Sequence, residues 1–226
     1  MAEPAPRTLG YWKTRGLGEH IRMLLTHLEL PFENVMYETG DPPRFDKTCW
    51  LSKKFTLGLD FPNLPYFIDE DIRLTESDAV LKFVCRKYKP DYLGTTNEEK
   101  ATIEMLMEVV GDMKRRMTRT CYSPAFASLK SDADLYVREK LENLARWLQP
   151  RTWAVAERPT LADFDLFESL AFANVFYPGG LAAVSDVFAR YSQQFRTLKH
   201  IAEFDDRKPR LKFKNKYSRL SEPELK

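Results

Sequence analysis

Tyr11 has the residue type and the position to act as a hydrogen-bond donor at a binding site. It stands in a short apolar run, Leu9 to Trp12, just before the chain is interrupted at Gly16 and Gly18. A tyrosine hydroxyl donates one hydrogen bond while it remains uncharged. Ligands in α/β proteins commonly bind where a strand ends. The alternative for Tyr11 on its own is an aromatic side chain packed in a core.

Further along the chain, Ser77, Trp50 and Lys54 offer groups that could hold an anion. Ser77 begins a predicted helix, where a hydroxyl and the first backbone N–H groups together form an anion site. Trp50 provides an indole N–H, and Lys54 provides an ammonium group. Each has an ordinary alternative: a helix cap for Ser77 (Thr75 with Asp78 could equally form it), core packing for Trp50 and a solvated side chain for Lys54.

Strand and helix patterns alternate in the first part of the chain, which predicts an α/β unit. Apolar residues at helical spacing follow the first strand, and a short helix is predicted around Trp50 and Phe55. The predicted strands cover residues 7–12, 32–37, 66–68 and 72–74, and a helix with Val80, Leu81 and Val84 on one face follows the last pair.

Beyond a Pro-, Gly- and Thr-containing stretch, all the patterns are helical. We expect a first domain over residues 1–88, a linker over 89–97 and an all-helical domain over 98–226. Thr160 and Asp163 have the spacing of a capping box at the start of a buried helix. The basic tail, Arg207 to Arg219, is interpreted as a solvated segment that packs its apolar residues on the body, and a nucleic-acid arm is the weaker alternative.

Composition narrows the possible functions. The 226 residues are 43% hydrophobic and carry a net charge of +2, which gives no general reason to expect nucleic acid. No apolar window approaches a membrane span, and the start lacks a signal-peptide core, so we expect a cytoplasmic protein. Three widely spaced cysteines without a C-x-x-C argue against a disulfide framework, and the three histidines suggest no metal site.

Three sequence strings identify a family. LGYWKTRGLGEHIRMLL, then WLSKKFTLGLDFPNLPYFID, then LTESDAVL resemble the cytosolic glutathione transferases, most of all their mu class. The resemblance continues more weakly through CYSPAF and PTLADF. It implies a thioredoxin-like domain followed by a helical domain, glutathione as cosubstrate, no metal, a cytoplasmic homodimer and conjugation of glutathione to small electrophiles.

The resemblance gives Tyr11 a chemical task. A free thiol has a pKa of about 8.5, so only a few per cent is thiolate at neutral pH. Each unit by which an enzyme lowers that pKa takes about 1.4 kcal/mol of differential stabilisation. By resemblance, the Tyr11 hydroxyl donates the hydrogen bond that stabilises the thiolate of glutathione.

The resemblance also implies a set of glutathione-binding residues. Ser77 would hold the γ-glutamyl carboxylate, and Pro65 is a candidate cis-proline that would present the backbone of Leu64. Glu76 departs from the mu pattern, which has Gln, and could pair with the γ-glutamyl ammonium; we expect an altered pH dependence of binding. Lys47 stands where mu proteins often have Arg. The full set is Trp12, Trp50, Lys54, Asn63, Leu64, Pro65, Glu76, Ser77 and, reaching the neighbouring subunit, Asp112.

The predicted electrophile pocket consists of Leu17, Tyr122 and Phe213, which the resemblance implies, together with Arg115 and Arg119. Arg115 and Arg119 fall on the helix face opposite the apolar one, which suggests acidic electrophiles or anionic ligands. The alternative is a solvated face on which Asp112 pairs with Arg115 or Arg116. By resemblance, Phe61 is an aromatic key inserted into the partner subunit; its alternative is local loop packing.

Two other functions remain open from the sequence. A glutathione-dependent isomerase of the prostaglandin synthase type would share Tyr11. A non-catalytic ligand-binding protein with the same fold would fit the arginines and the basic tail. The retention of Tyr11, Trp50, Lys54 and Ser77 argues against the second.

Overall fold

The apolar runs of the first part of the chain form a mixed four-stranded sheet. The computed structural model describes residues 7–220. The strands are β1 (Arg7–Trp12), β2 (Phe32–Tyr37), β3 (Tyr66–Asp69) and β4 (Ile72–Thr75), in the order β2-β1-β3-β4. β1 pairs parallel to β2 and antiparallel to β3, and β3 pairs antiparallel to β4. Because the two central strands, β1 and β3, run in opposite directions, the end of β1, where Tyr11 lies, is beside the start of β3.

Helices accompany the sheet and then make up most of the described chain that follows it. Three belong to the first part: α1 (Glu19–His27), α2 (Thr48–Leu51) and α3 (Ser77–Tyr88). The rest are α4 (Asn97–Tyr122), α5 (Phe126–Leu148), α6 (Leu161–Phe176), α7 (Val187–Arg196) and α8 (Ile201–Asp206). Single-turn 3-10 helices cover Pro90–Leu93 and Leu181–Ala183. The fold is thus the predicted one, an α/β part followed by a mostly helical part.

The helical part is held by local signals and by apolar packing. At the start of α4, the Thr96 hydroxyl accepts a hydrogen bond from the backbone N–H of Glu99 at 3.2 Å. The predicted capping box of α6 is present, with the Asp163 carboxylate accepting from the backbone N–H of Thr160 at 2.8 Å. The apolar face that helical spacing predicts for α4 is buried: Ile103, Leu106, Val110, Met113 and Met117.

Several details differ from the sequence expectations. The short helix α2 ends at Leu51, so Phe55 lies outside it in the following turns. The sequence predicts this helix over about residues 98–120, whereas α4 extends to Tyr122, which places Tyr122 on the helix itself. The spacing of Leu135, Leu141, Leu144 and Leu148 predicts a helix, which α5 confirms, but Leu135 is exposed because it lies off the buried stripe of Ala133, Val137 and Leu141.

Buried ion pairs connect the α/β part to the helical part. The Arg15 guanidinium donates two hydrogen bonds to the Glu168 carboxylate, at 3.1 and 2.5 Å. Lys114 donates to Asp165 at 2.6 Å, and fully buried His20 lies 3.8 Å from the same carboxylate. Burial, reinforced by the charge of Lys114, lowers the pKa of His20 to about 3.

No helix among residues 7–220 is long and apolar enough to cross a membrane.

Candidate active site

Tyr11 lies at the end of β1, where a sharp turn carries the chain into α1. The Tyr11 hydroxyl oxygen accepts a hydrogen bond from the backbone N–H of Leu17 at 3.0 Å. Its ring is 8% exposed, and burial raises the pKa of Tyr11, against smaller lowering effects of the Leu17 hydrogen bond and the Arg22 charge. The phenol therefore stays neutral at physiological pH. Because the Tyr11 oxygen accepts this hydrogen bond from Leu17, the hydroxyl proton remains available to an acceptor other than Leu17.

Four of the predicted site residues meet in one aromatic cluster under the sheet edge. Tyr11, Trp50 and Leu64 are buried in it, and Trp12 packs against it. Trp50 contacts Tyr37 edge-on, with ring centroids 5.3 Å apart. Among residues 7–220, the Trp50 indole N–H has no hydrogen-bond partner. The packing of this aromatic cluster therefore fixes the positions of Tyr11 and Trp50 relative to each other.

A second group surrounds the loop before β3 and the start of α3. The Leu64-Pro65 peptide bond is cis. The Asn63 amide donates a hydrogen bond to the Glu76 carboxylate at 3.1 Å, although the two residues are far apart in sequence. Ser77 is the first residue of α3, and the N-cap residue before it, Glu76, makes no side-chain capping hydrogen bond. The anion-binding role of the Ser77 hydroxyl and the first N–H groups of α3 stays a prediction.

The ligand and partner contacts of the other predicted residues stay predictions. The Lys54 ammonium lies 5.3 Å from the Phe55 ring centroid, and Lys47 lies 4.9 Å from the ring of Tyr217. Phe61 is 80% exposed. Asp112 accepts a hydrogen bond from Arg115 at 2.6 Å, so the pairing weighed from the sequence occurs with Arg115.

A cavity of about 290 Å³ opens beside the Tyr11 hydroxyl, between the sheet edge and α4. Tyr11 and all five residues predicted for the electrophile pocket line it: Leu17, Arg115, Arg119, Tyr122 and Phe213. The Tyr122 hydroxyl accepts from the backbone N–H of Asn215 at 3.1 Å, and burial raises its pKa. The structure thus brings the predicted donor and the predicted pocket together.

The cavity also has walls that the sequence reasoning missed. Lys114 and Thr118 belong to the same helix face as Arg115 and Arg119, so helical spacing alone could have indicated them. No local pattern signals the remaining ones, which arrive from other elements: Thr14, Gly16, Glu168, Ser169, Phe172, Lys214 and Asn215. The wall therefore carries more positive charge than the two predicted arginines.

The tail lines this cavity with Phe213, Lys214 and Asn215 and contacts both parts of the chain. Phe213 is 4% exposed and stacks on Phe172, with ring centroids 5.4 Å apart. Lys216 donates to Asp41 at 2.7 Å, and Tyr217 lies 5.8 Å from the ring of Phe45. The prediction of apolar residues packed on the body is confirmed for Phe213. Its basic neighbours are not all solvated, because Lys214 is buried in the cavity wall.

Among residues 7–220, no group of three or more His, Cys, Asp or Glu side chains is arranged to hold a metal ion. Of the described cysteines, Cys49 is exposed, and both Cys85 and Cys121 are buried. None of the three lines the cavity beside Tyr11. The polar groups that line this cavity are hydroxyls, cations, the Glu168 carboxylate and the Asn215 amide.

Comparisons with known proteins agree with this geometry. Residues 7–86 match the family model of the glutathione S-transferase N-terminal domain. Glutathione S-transferase Mu 4 of Rattus norvegicus is 39% identical over 189 residues, covering 82% of this chain and 86% of the relative. Glutathione S-transferase Mu 1 of Oryctolagus cuniculus is 41% identical over 178 residues, covering 79% and 81%.

Solved structures of glutathione S-transferases have a similar fold. The crystal structure of the glutathione S-transferase Blo t 8 is 30% identical and has a TM-score of 0.84, covering 94% of this chain and 98% of that one. The Pi-class glutathione S-transferase of Onchocerca volvulus, at 24% identity and a TM-score of 0.75 over 89% of this chain and 93% of that one, shows the fold alone. From its sequence relatives and its architecture, the chain belongs to the glutathione S-transferase family of enzymes, and its relatives include members of the mu class.

Proposed function

We propose that this enzyme joins the thiol of glutathione to small electrophiles and that Tyr11 stabilises the reacting thiolate. The observation that carries the proposal is the Tyr11 hydroxyl, which accepts from Leu17 N–H at 3.0 Å and borders the cavity beside it. A neutral donor in that position lowers the pKa of a bound thiol, because it stabilises the charged form only.

The reaction needs few further groups. The thiol of bound glutathione loses its proton to solvent, and the thiolate lies within reach of the Tyr11 hydroxyl. The sulfur attacks an electrophilic carbon in the cavity, a carbon–sulfur bond forms, and the leaving group departs with its electron pair. The protein holds the two reactants side by side and keeps the sulfur ionised.

The glutathione backbone is proposed to lie along the aromatic cluster and the start of α3. Ser77 and the adjacent N–H groups would hold the γ-glutamyl carboxylate, and Glu76 the ammonium. The backbone of Leu64, before the cis-Pro65, would bond the cysteinyl part, with Asn63 adjacent. Trp50 and Lys54 would bind the glycine carboxylate, with Trp12 beside them.

A homodimer is the assembly that these residues favour. Phe61 is 80% exposed on a loop of the first part, which is unusual for a large aromatic side chain. We propose that it inserts into a partner subunit and that Asp112 approaches the partner's glutathione. The cytoplasmic location stays a prediction from the family resemblance.

The test compares the wild type with Tyr11→Phe in conjugating glutathione to 1-chloro-2,4-dinitrobenzene. The kcat profile of the wild type should rise with pH through the lowered pKa of the bound thiol. In the variant that rise should move up by at least one pH unit, and kcat at pH 6.5 should fall about tenfold. Glutathione affinity, measured by calorimetry, should be preserved.

The upper end of the profile tests the protonation state of Tyr11. Because burial raises the pKa of Tyr11 above its usual value, the donor keeps its proton as the pH rises to 9. No loss of kcat should appear up to that pH. Equal pH profiles for the two proteins would reject the role of Tyr11, whereas glutathione binding with no conjugation by the wild type would favour ligand binding or isomerisation.

A further inference from the structure

The wall of the cavity that faces Tyr11 is built from two turns of α4. Lys114 and Thr118 are four residues apart, as are Arg115 and Arg119, so the four side chains form adjacent rows on one helix face. All four line the cavity. An electrophile held beside Tyr11 therefore meets a wall with three cations.

Two of these cations are balanced inside the protein. Lys114 donates to Asp165 at 2.6 Å, and Arg115 donates to Asp112 at 2.6 Å while 52% of its side chain stays exposed. Arg119 has no acidic partner among residues 7–220. Arg119 is thus a cation in the cavity wall with which an anionic ligand could form an ion pair.

The only carboxylate among the residues named for this wall is already engaged. Glu168 lines the cavity, but both its oxygens accept hydrogen bonds from buried Arg15. Its charge is compensated within the protein, so it opposes an incoming anion weakly.

The tail adds Lys214 to the same wall. Its ammonium donates to the Thr118 hydroxyl at 2.8 Å and lies 4.2 Å from the centroid of the Phe172 ring. The residue is 8% exposed. A desolvated ammonium interacts with an anion more strongly than a surface lysine does, since water screens it less.

A buried hydroxyl without a described hydrogen-bond partner independently indicates that the cavity binds a polar ligand. The Ser169 Oγ is buried and has no hydrogen-bond partner among residues 7–220. Ser169 lines the cavity on α6, next to the helix turn that carries Phe172. Buried hydroxyls in proteins are normally hydrogen-bonded, so a ligand atom is an expected partner.

We propose that the electrophile pocket selects aromatic substrates that carry a carboxylate, with that carboxylate held by Arg119 and Lys214. The ring of the substrate would lie against Phe172 and Phe213, and its reactive carbon would face Tyr11. This proposal rests on the proposed conjugation function and adds the substrate class to it. It also changes the prediction from the sequence, because Lys214 replaces Arg115 as the second anion-binding cation.

The test uses two electrophiles that differ in charge but react at the same kind of carbon. 4-Chloro-3,5-dinitrobenzoate carries a carboxylate, and its methyl ester is neutral. In both, the thiolate forms a carbon–sulfur bond and chloride leaves. The wild type should convert the acid with the higher kcat/KM once both rates are divided by the corresponding uncatalysed rates.

The variants are Arg119→Gln, Lys214→Gln and the double variant, with Lys100→Gln as the matched control. Lys100 is an exposed cation near the start of the same helix, far along α4 from the cavity residues. The acid-to-ester ratio of kcat/KM should fall about tenfold in the double variant, as for the loss of a charge-assisted hydrogen bond. It should not change in Lys100→Gln. Arg119→Gln keeps the test decisive if Lys214→Gln folds poorly, because its side chain is exposed.

Binding separates this proposal from the proposed function. 3,5-Dinitrobenzoate has no leaving group, and its affinity relative to its methyl ester can be measured by calorimetry even if no conjugation occurs. A preference for the acid that is lost in the double variant supports the carboxylate site whatever the outcome for Tyr11. Equal affinities of the wild type for acid and ester, or an equal fall for both in the variants, would overturn it.

Discussion

At the scale of single residues, Glu76 is the feature that most distinguishes the proposed glutathione site. Its carboxylate accepts a hydrogen bond from Asn63 at 3.1 Å, and its backbone has a positive φ of 67°. The carboxylate stands one residue before Ser77, so one negative group and one anion-binding group lie side by side. Such an arrangement suits a zwitterionic ligand end, with an ammonium and a carboxylate on the same carbon.

The Glu76→Gln variant tests this interpretation with S-methylglutathione, which has no thiol to titrate. At pH 7 its affinity should be about two- to fivefold lower than that of the wild type, the range of an exposed ion pair. As the pH rises and the ligand ammonium loses its proton, the wild type should lose affinity more steeply, because only its site gains from that charge. Calorimetry between pH 6 and 10 measures this, and unchanged affinity of the variant across that range would contradict it.

At the scale of elements, the turn between β1 and α1 positions the Tyr11 hydroxyl. Gly16 has a φ of 40° in the left-handed region, and a Cβ built on it would lie 2.6 Å from the Tyr11 hydroxyl oxygen. The backbone of the turn can therefore approach the hydroxyl this closely because residue 16 has no side chain. The next N–H in the chain, that of Leu17, then bonds to the hydroxyl.

Gly16→Ala should push the Tyr11 hydroxyl out of place. We expect kcat to fall at least tenfold at pH 6.5, since misplacing a reacting group by about an ångström has effects of this size or greater. Gly58→Ala is the matched control, because Gly58 also has a positive φ, 67°, but its added Cβ would approach only Arg73, at 3.5 Å. Steady-state kinetics beside thermal melting decides between them: if both variants melt lower by similar amounts and lose activity alike, the turn has no special role.

At the scale of the whole molecule, two exposed aromatic rings in the first part of the chain indicate a surface that another molecule covers. Phe61 and Phe55 are 80% and 78% exposed, and Leu51 nearby is 56% exposed. Scattered apolar residues are ordinary on a surface, but a cluster of large ones marks an interaction site. The family resemblance assigns the partner-binding role to Phe61 in particular.

Phe61→Ser should therefore weaken the dimer, while Phe55→Ser, a change of the same kind at equal exposure, should weaken it less. Burial of a phenylalanine side chain contributes about 1.5–3 kcal/mol, and a dimer has two copies of the contact. Analytical ultracentrifugation over a dilution series should show a dissociation constant raised at least tenfold for Phe61→Ser. Equal dimer stability in the wild type and both variants would remove Phe61 from the interface.

The sequence by itself determined the elements and their order. The strands at residues 7–12 and 32–37 have the bounds predicted from the sequence, because each is a short stretch with aromatic residues that is followed by turn-forming residues. The buried face of α4 and the capping box of α6 follow from spacing within a few residues. The family strings supplied the candidate donor and its neighbours, and their ligand roles stay predictions.

Only the tertiary structure decided what surrounds the cavity. Trp50 reaches the Tyr11 cluster across the sheet edge, and Lys214 reaches Thr118 from a tail 96 positions further along the chain. Asp112 could have paired with Arg115 or Arg116, and side-chain geometry selects Arg115. Contacts of this kind depend on how helices pack and where the tail crosses. A local pattern of residue types therefore identifies which groups are present, and the packing of distant elements determines which of them meet.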